Sequence, residues 1–94
     1  MDKIIVTRHA SLLALLLERG IVPADTPVIT HVQDPADIAG KHVIGVLPLS
    51  LACHAAQVTE IPMNLSPDQR GQELDLDTLR GIAGEAVTYI VKKI

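Results

Sequence analysis

The segment that most constrains what this chain can fold into is its first apolar run, Lys3-Ile4-Ile5-Val6-Thr7. Its β-branched residues are contiguous instead of alternating with polar ones, which suits a central strand covered on both faces, as in a parallel sheet between helices. The polar stretch Arg8-His9-Ala10-Ser11 follows, and then Leu12-Leu13-Ala14-Leu15-Leu16-Leu17-Glu18-Arg19 ahead of Gly20. Ser11 is expected to cap a short buried helix over the leucines, and Gly20 to end it in the left-handed conformation that glycine tolerates.

The same order of strand and helix continues along the chain. Pro27 to Val32 reads as a second strand, Asp34 to Gly40 as a loop or single helical turn, and His42 to Val46 as a third strand. Pro48 fits the first turn of a helix running through Gln57, because a proline there removes no helical hydrogen bond. Val58 to Leu65 is a weaker fourth strand, assigned to an edge or a bulge by Pro62. A polar loop from Ser66 to Glu73 leads to Asp75, the expected cap of a final amphipathic helix in which Leu76, Leu79, Ile82, Ala83, Ala86, Ile90 and Ile94 recur at threes and fours. The expected architecture is a single Rossmann-like α/β domain over residues 1–94. It has a short, mainly parallel four-stranded sheet with helices on both faces. Such sheets bind ligands beyond the carboxyl ends of their strands, where strand order reverses.

Composition narrows the functional classes. The chain is 48% apolar, yet Tyr89 is its one aromatic residue, so the core must be aliphatic. A core of that kind in 94 residues leaves apolar surface that a second copy would cover, and a homodimer is expected. The net charge of −3, with basic residues adjacent only at Lys92-Lys93, offers no footprint for duplex nucleic acid. The apolar runs are too short for a membrane span or a signal peptide, so the expected location is cytoplasmic. Cys53 reads as a small buried hydrophobe. His31, His42 and His54 show no ligand spacing with one another or with it, so no metal is expected. The absence of a Gly-rich dinucleotide fingerprint and of a Walker sequence argues against NAD or a nucleoside triphosphate, and no cofactor is expected.

The polar residues expected at the carboxyl edge form three groups: Thr7, Arg8, His9 and Ser11; Pro48 and Ser50; and Asn64 with the Arg70 loop. The first joins a guanidinium, an imidazole and a hydroxyl to a helix N-terminus, a combination suited to phosphate. An Arg-His pair at a strand end also serves as capping and solvation. Arg70 and Glu73 can equally pair with each other on a solvated loop. Asp75 and Asp77 suit a helix N-terminus better than acid-base chemistry, and no nucleophile elbow is present.

Three blocks together carry a resemblance: Val6-Thr7-Arg8-His9, Val43 to Ala52 with Ile44-Gly45-Val46-Leu47-Pro48 at its centre, and Arg70-Gly71-Gln72-Glu73-Leu74. In that order and spacing the chain resembles the small stand-alone accessory proteins of type III CRISPR loci, relatives of the CRISPR-associated Rossmann-fold (CARF) sensor domain. The resemblance implies a homodimer that binds a cyclic oligoadenylate, chiefly the four-nucleotide ring, across its two-fold axis and cuts it as a metal-independent ring nuclease. By the same resemblance Arg8 and His9 are the expected catalytic residues. Thr7, Ser11, Pro48, Ser50, Asn64, Arg70, Gln72 and Glu73 are the expected ligand contacts. The family usually carries Pro-Gly after the Arg-His pair, where this chain has Ala10-Ser11. Two other readings use the same residues: a non-catalytic binder of the ring, and a structural interaction subunit.

Overall fold

In the computed structural model, which describes all residues from Met1 to Ile94, the elements follow in the order β1 (Lys3–Val6), α1 (Ala10–Glu18), β2 (Val28–Ile29), β3 (His42–Gly45), α2 (Leu49–Ala52), β4 (Gln57–Glu60), α3 (Leu76–Ile82) and β5 (Val87–Tyr89). Short 3₁₀ turns occupy Pro35–Asp37 and Pro67–Gln69. The strands form one sheet in the order β2-β1-β3-β4-β5. The first four are parallel and β5 runs antiparallel to β4. The chain winds from β1 outward to β2 and then back past β1 to β3, so the reversal of strand order falls between β1 and β3.

Alternate residues of the two central strands feed two cores. Ile4, Val6 and Val43 face one side with Ile38, Ala52, Ala55 and Val58, beneath α2 and the first 3₁₀ turn. Ile5 and Ile44 face the other with Leu15, Leu16, Val22, Ile61 and Leu79, beneath α1 and α3. Ile5, Leu15, Leu16, Ile38, Ile44 and Val43 are fully buried. Burial of each stabilises the fold by about 2 kcal/mol, so the central strands and α1 account for much of its cohesion. Helices therefore do cover both faces.

Several boundaries differ from the expectation. The cap of α1 is His9, in an extended conformation, and Ser11 lies inside the first turn with its hydroxyl donating to the Leu74 carbonyl at 2.7 Å. Tertiary demand for that hydroxyl has displaced the local capping role. Gly20 ends α1 as expected: with φ of 68°, its amide donates to Leu17 and that of Ile21 to Leu16. The Asp34 turn also forms, its carboxylate accepting from the Ala36 amide at 2.8 Å. Helix α2 closes after Ala52 instead of reaching Gln57, with Pro48 as its N-cap, because Gln57 already pairs with His42 in the sheet.

The final helix is the largest departure, and it also corrects the strand count from four to five. Asp75 caps α3 as expected, accepting from the Thr78 amide at 2.8 Å, but the helix ends at Ile82. The Ala83 amide still bonds to Leu79, and the next one, Gly84, donates to the Pro62 carbonyl at 2.7 Å. Beyond that exit Val87-Thr88-Tyr89 adopt the extended form favoured by β-branched and aromatic side chains and pair with β4. The added strand makes β4 an inner strand, with Pro62 outside it, which overturns the edge assignment.

One polar chain crosses this part of the sheet. Thr59 is buried, and its hydroxyl meets both His42 Nε2 and the Thr88 hydroxyl. Burial, aided by the Lys3 ammonium, holds the His42 imidazole below its ordinary value. The unfolded chain therefore takes up a proton near pH ~6.5 that the native state refuses. Stability from this site is present above that pH and is lost as pH falls through the lower native value. The Glu18, Asp68 and Asp75 carboxyls are also held low, by hydrogen bonds from Arg80, Ser66 and Thr78 in turn, so their contribution disappears only in a later acid step below pH ~4.5. Melting curves of wild type and His42→Gln against pH are expected to differ in the first step only. Identical curves would refute the assignment.

Candidate functional site

The carboxyl ends of β1 and β3 open onto a cleft of about 390 Å³ between α1, α3 and the 66–74 loop. Its floor is apolar, with Leu12, Leu16, Ile44, Ile61 and Leu79, and its rim carries His9, Gln69, Gln72 and Glu73. Gly45 lines the cleft at the carboxyl end of β3, where it pairs with Val6 of β1. A Cβ there would sit 2.3 Å from the Val6 carbonyl oxygen, and the residue has φ of 145°, so only glycine fits.

Local geometry sets the polar side. The Thr7 amide donates to the Ile29 carbonyl at 3.0 Å, which holds the end of β1. The Thr7 hydroxyl accepts from the His9 amide at 3.1 Å and turns the chain into α1. The amides of Ala10, Ser11 and Leu12 open that helix without a partner inside the chain, and Leu13 is the first to bond back, to His9. Arg8 is exposed beside them, and its guanidinium makes no hydrogen bond or ion pair. An unpaired guanidinium next in sequence to open helix amides is chemistry suited to an anion, on a chain whose overall charge is negative.

Opposite them, the loop is built by a capping box in which Ser66 donates its amide to Gln69 Oε1 at 3.0 Å. It is tied to α1 twice: through the Ser11 hydroxyl on Leu74 and through His9 Nδ1, which lies 2.8 Å from Glu73 Oε2. Glu73 therefore pairs with His9 and not with Arg70, whose side chain is exposed and unpaired. The loop also includes Gly71, with φ of 78°.

Of the residues expected at the site, His9, Ser11, Gln72 and Glu73 line this cleft, whereas Thr7 and Arg8 do not line it and belong to the turn that leads into His9. Arg70 belongs to the same loop without lining the cleft. Pro48 and Ser50 are not brought in: the chain leaves β3 toward the opposite face, where Leu47 joins the core under α2. Asn64 does not line the cleft although Met63 and Leu65 on either side of it do; its backbone amide donates to the Ile82 carbonyl at 3.0 Å. Expectation from sequence missed Gln69, Gly71 and the apolar floor. The spacing of Ser66 and Gln69 as a capping box was the one signal that could have found Gln69. Cys53, expected to be buried, is half-buried and donates its thiol to the Ser50 carbonyl at 3.3 Å. No set of three His, Cys, Asp or Glu side chains converges anywhere in the chain, and no helix is long and apolar enough to cross a membrane.

Comparison with known proteins places this geometry in context. A family model described as "Putative CRISPR-associated protein (Cas_VVA1548)" matches residues 4–92, a span that begins within β1 and runs past β5. No curated protein and no solved structure matches the chain.

Proposed function

Because the chain belongs to this CRISPR-associated family, we propose that it is a ring nuclease that opens a cyclic oligoadenylate, chiefly the four-nucleotide ring, and so ends a type III CRISPR signal. The observation that carries the reading is the unpaired Arg8 beside His9 and the open amides of α1, at the point where strand order reverses. This arrangement offers a phosphate both charge and directed donors. In a CARF-like homodimer two such edges would meet a symmetric ring as equivalent half-sites.

The chemistry needs no water and no metal. A ribose 2′-hydroxyl attacks the adjacent phosphorus in line, the O2′–P bond forms, and the P–O5′ bond of the next nucleotide breaks to leave a 2′,3′-cyclic phosphate. The proton leaves the 2′-oxygen and ends on the departing 5′-oxygen, with His9 as carrier. Arg8 stabilises the negative charge that grows on the phosphoryl oxygens. Thr7, Ser11, Gln72 and the Arg70 loop orient ribose and phosphate, and the apolar floor receives the flat face of a base.

Incubation of the purified protein in excess EDTA with rings of three, four and six adenylates, followed by mass-resolved chromatography, tests the proposal. Linear products with cyclic phosphate ends from one ring size are expected. Rings that stay intact but bound would select a sponge or sensor, and rings that neither bind nor break would reject the nucleotide reading altogether.

A further inference from the structure

We infer that Glu73 is a positioning residue that biases His9 toward the tautomer protonated at Nδ1 and leaves its Nε2 as the proton acceptor at the cleft, although both side chains are more than half exposed; the consequence for cleavage rests on the ring-nuclease reading, whereas the tautomer does not. The argument starts from the pair at 2.8 Å between His9 Nδ1 and Glu73 Oε2. An ionised carboxylate can only accept, so the shared proton must reside on Nδ1. A neutral imidazole carries one N–H, which leaves a bare lone pair on Nε2. That nitrogen has no partner within the chain, and His9 lines the cleft.

Both sides of the contact are held by bonds that do not depend on it. The His9 amide is fixed on the Thr7 hydroxyl, and the residue after Glu73 is fixed by the Ser11 hydroxyl on the Leu74 carbonyl. Arg70, the nearest cation in the loop sequence, does not compete, since Glu73 makes its one ion pair with His9. The residues lie 64 positions apart, so the loop brings its carboxylate to the imidazole only in the folded state. In the cleavage step this arrangement gives the 2′-hydroxyl proton a defined destination at Nε2, from which it passes to the 5′-oxygen as the P–O5′ bond breaks.

The test is long-range ¹H–¹⁵N correlation on uniformly ¹⁵N-labelled protein at a pH where imidazoles are neutral. Wild-type His9 is expected to show a protonated Nδ1 and a bare Nε2, and Glu73→Ala to shift it toward the opposite tautomer with the amide spectrum elsewhere retained. A protonated Nε2 in the wild type, or the same tautomer in both proteins, would overturn the inference. With the cleaved ring as substrate, Glu73→Ala is expected to lower kcat about tenfold with KM changed less than about twofold. An unchanged kcat overturns the positioning role. Failure of the wild type to open any ring counts against the ring-nuclease reading alone, because the tautomer is read without substrate.

Discussion

Arg8→Ala is expected to slow opening of the cyclic tetra-adenylate by about 10²- to 10³-fold while leaving the melting temperature within about 2 °C of wild type. The first half follows from the chemistry. The phosphorane gathers charge that the substrate did not have, and a donor aimed at that charge acts mainly on the transition state. The second half follows from the structure. Arg8 is exposed and its guanidinium has no partner, so truncation breaks no hydrogen bond or ion pair in the folded chain. Arg8→Lys keeps the charge but loses the planar fork, and an intermediate rate is expected. Single-turnover cleavage alongside a thermal melt separates the two effects. Wild-type rates in both Arg8→Ala and His9→Ala proteins would remove these residues from the reaction.

Gly45→Ala is expected to destabilise the fold by about 3 kcal/mol or more, with a fall in melting temperature of about 15 °C. The added Cβ would lie 2.3 Å from the Val6 carbonyl oxygen, a backbone atom that no side-chain rotation can clear. Val6 is paired with Gly45 in the register of β1 and β3, so relief requires separating the two central strands at their carboxyl ends. The residue also has φ of 145°, which L side chains rarely adopt. Gly81→Ala supplies the contrast. That glycine lies inside α3 with open space around its missing Cβ, and alanine there is expected to leave stability unchanged or raise it by about 0.5–1 kcal/mol. Thermal melts of the two variants decide the matter, and equal stability would show that the β1–β3 contact tolerates side chains.

Gly45 and the His9–Glu73 pair mark where reading the sequence stops being sufficient. The Ile44-Gly45-Val46 run identifies a strand, and it carries no sign that the glycine is obligatory. That necessity comes from Val6, a residue of another strand. Glu73 has several cations within reach of a flexible loop in the unfolded chain. Its choice of His9 over Arg70 is made when the loop closes on α1. Pro48 and Ser50 illustrate the reverse. They follow the third strand, as expected, but there Pro48 caps α2 and Ser50 lies within it, on the face that lacks the cleft.

The segment after Asp75 shows the physical basis of that division most clearly. Capping, turn geometry and termination depend on residues within a few positions of one another. The Gly20 stop, the Asp34 turn, the Asp75 cap and the strand-helix alternation of an α/β chain were therefore legible from sequence, as was the Arg8–His9 pair at the end of the first strand. Apolar spacing at threes and fours from Leu76 to Ile94 equally favoured one continuous helix, and local energies of helix and strand differ there by little. The edge of β4 and the Thr59 hydroxyl beneath it tipped the balance: Val87, Thr88 and Tyr89 pair antiparallel with Glu60, Thr59 and Val58 along that edge, and the Thr88 hydroxyl meets that of Thr59. Sequence by itself determined the caps and stops of the early elements, their strand-helix order as far as Asp75, and the residues available for chemistry. Strand number, the apolar floor of the cleft and the partner of His9 were decided only by tertiary structure, because each depends on contacts between segments distant along the chain.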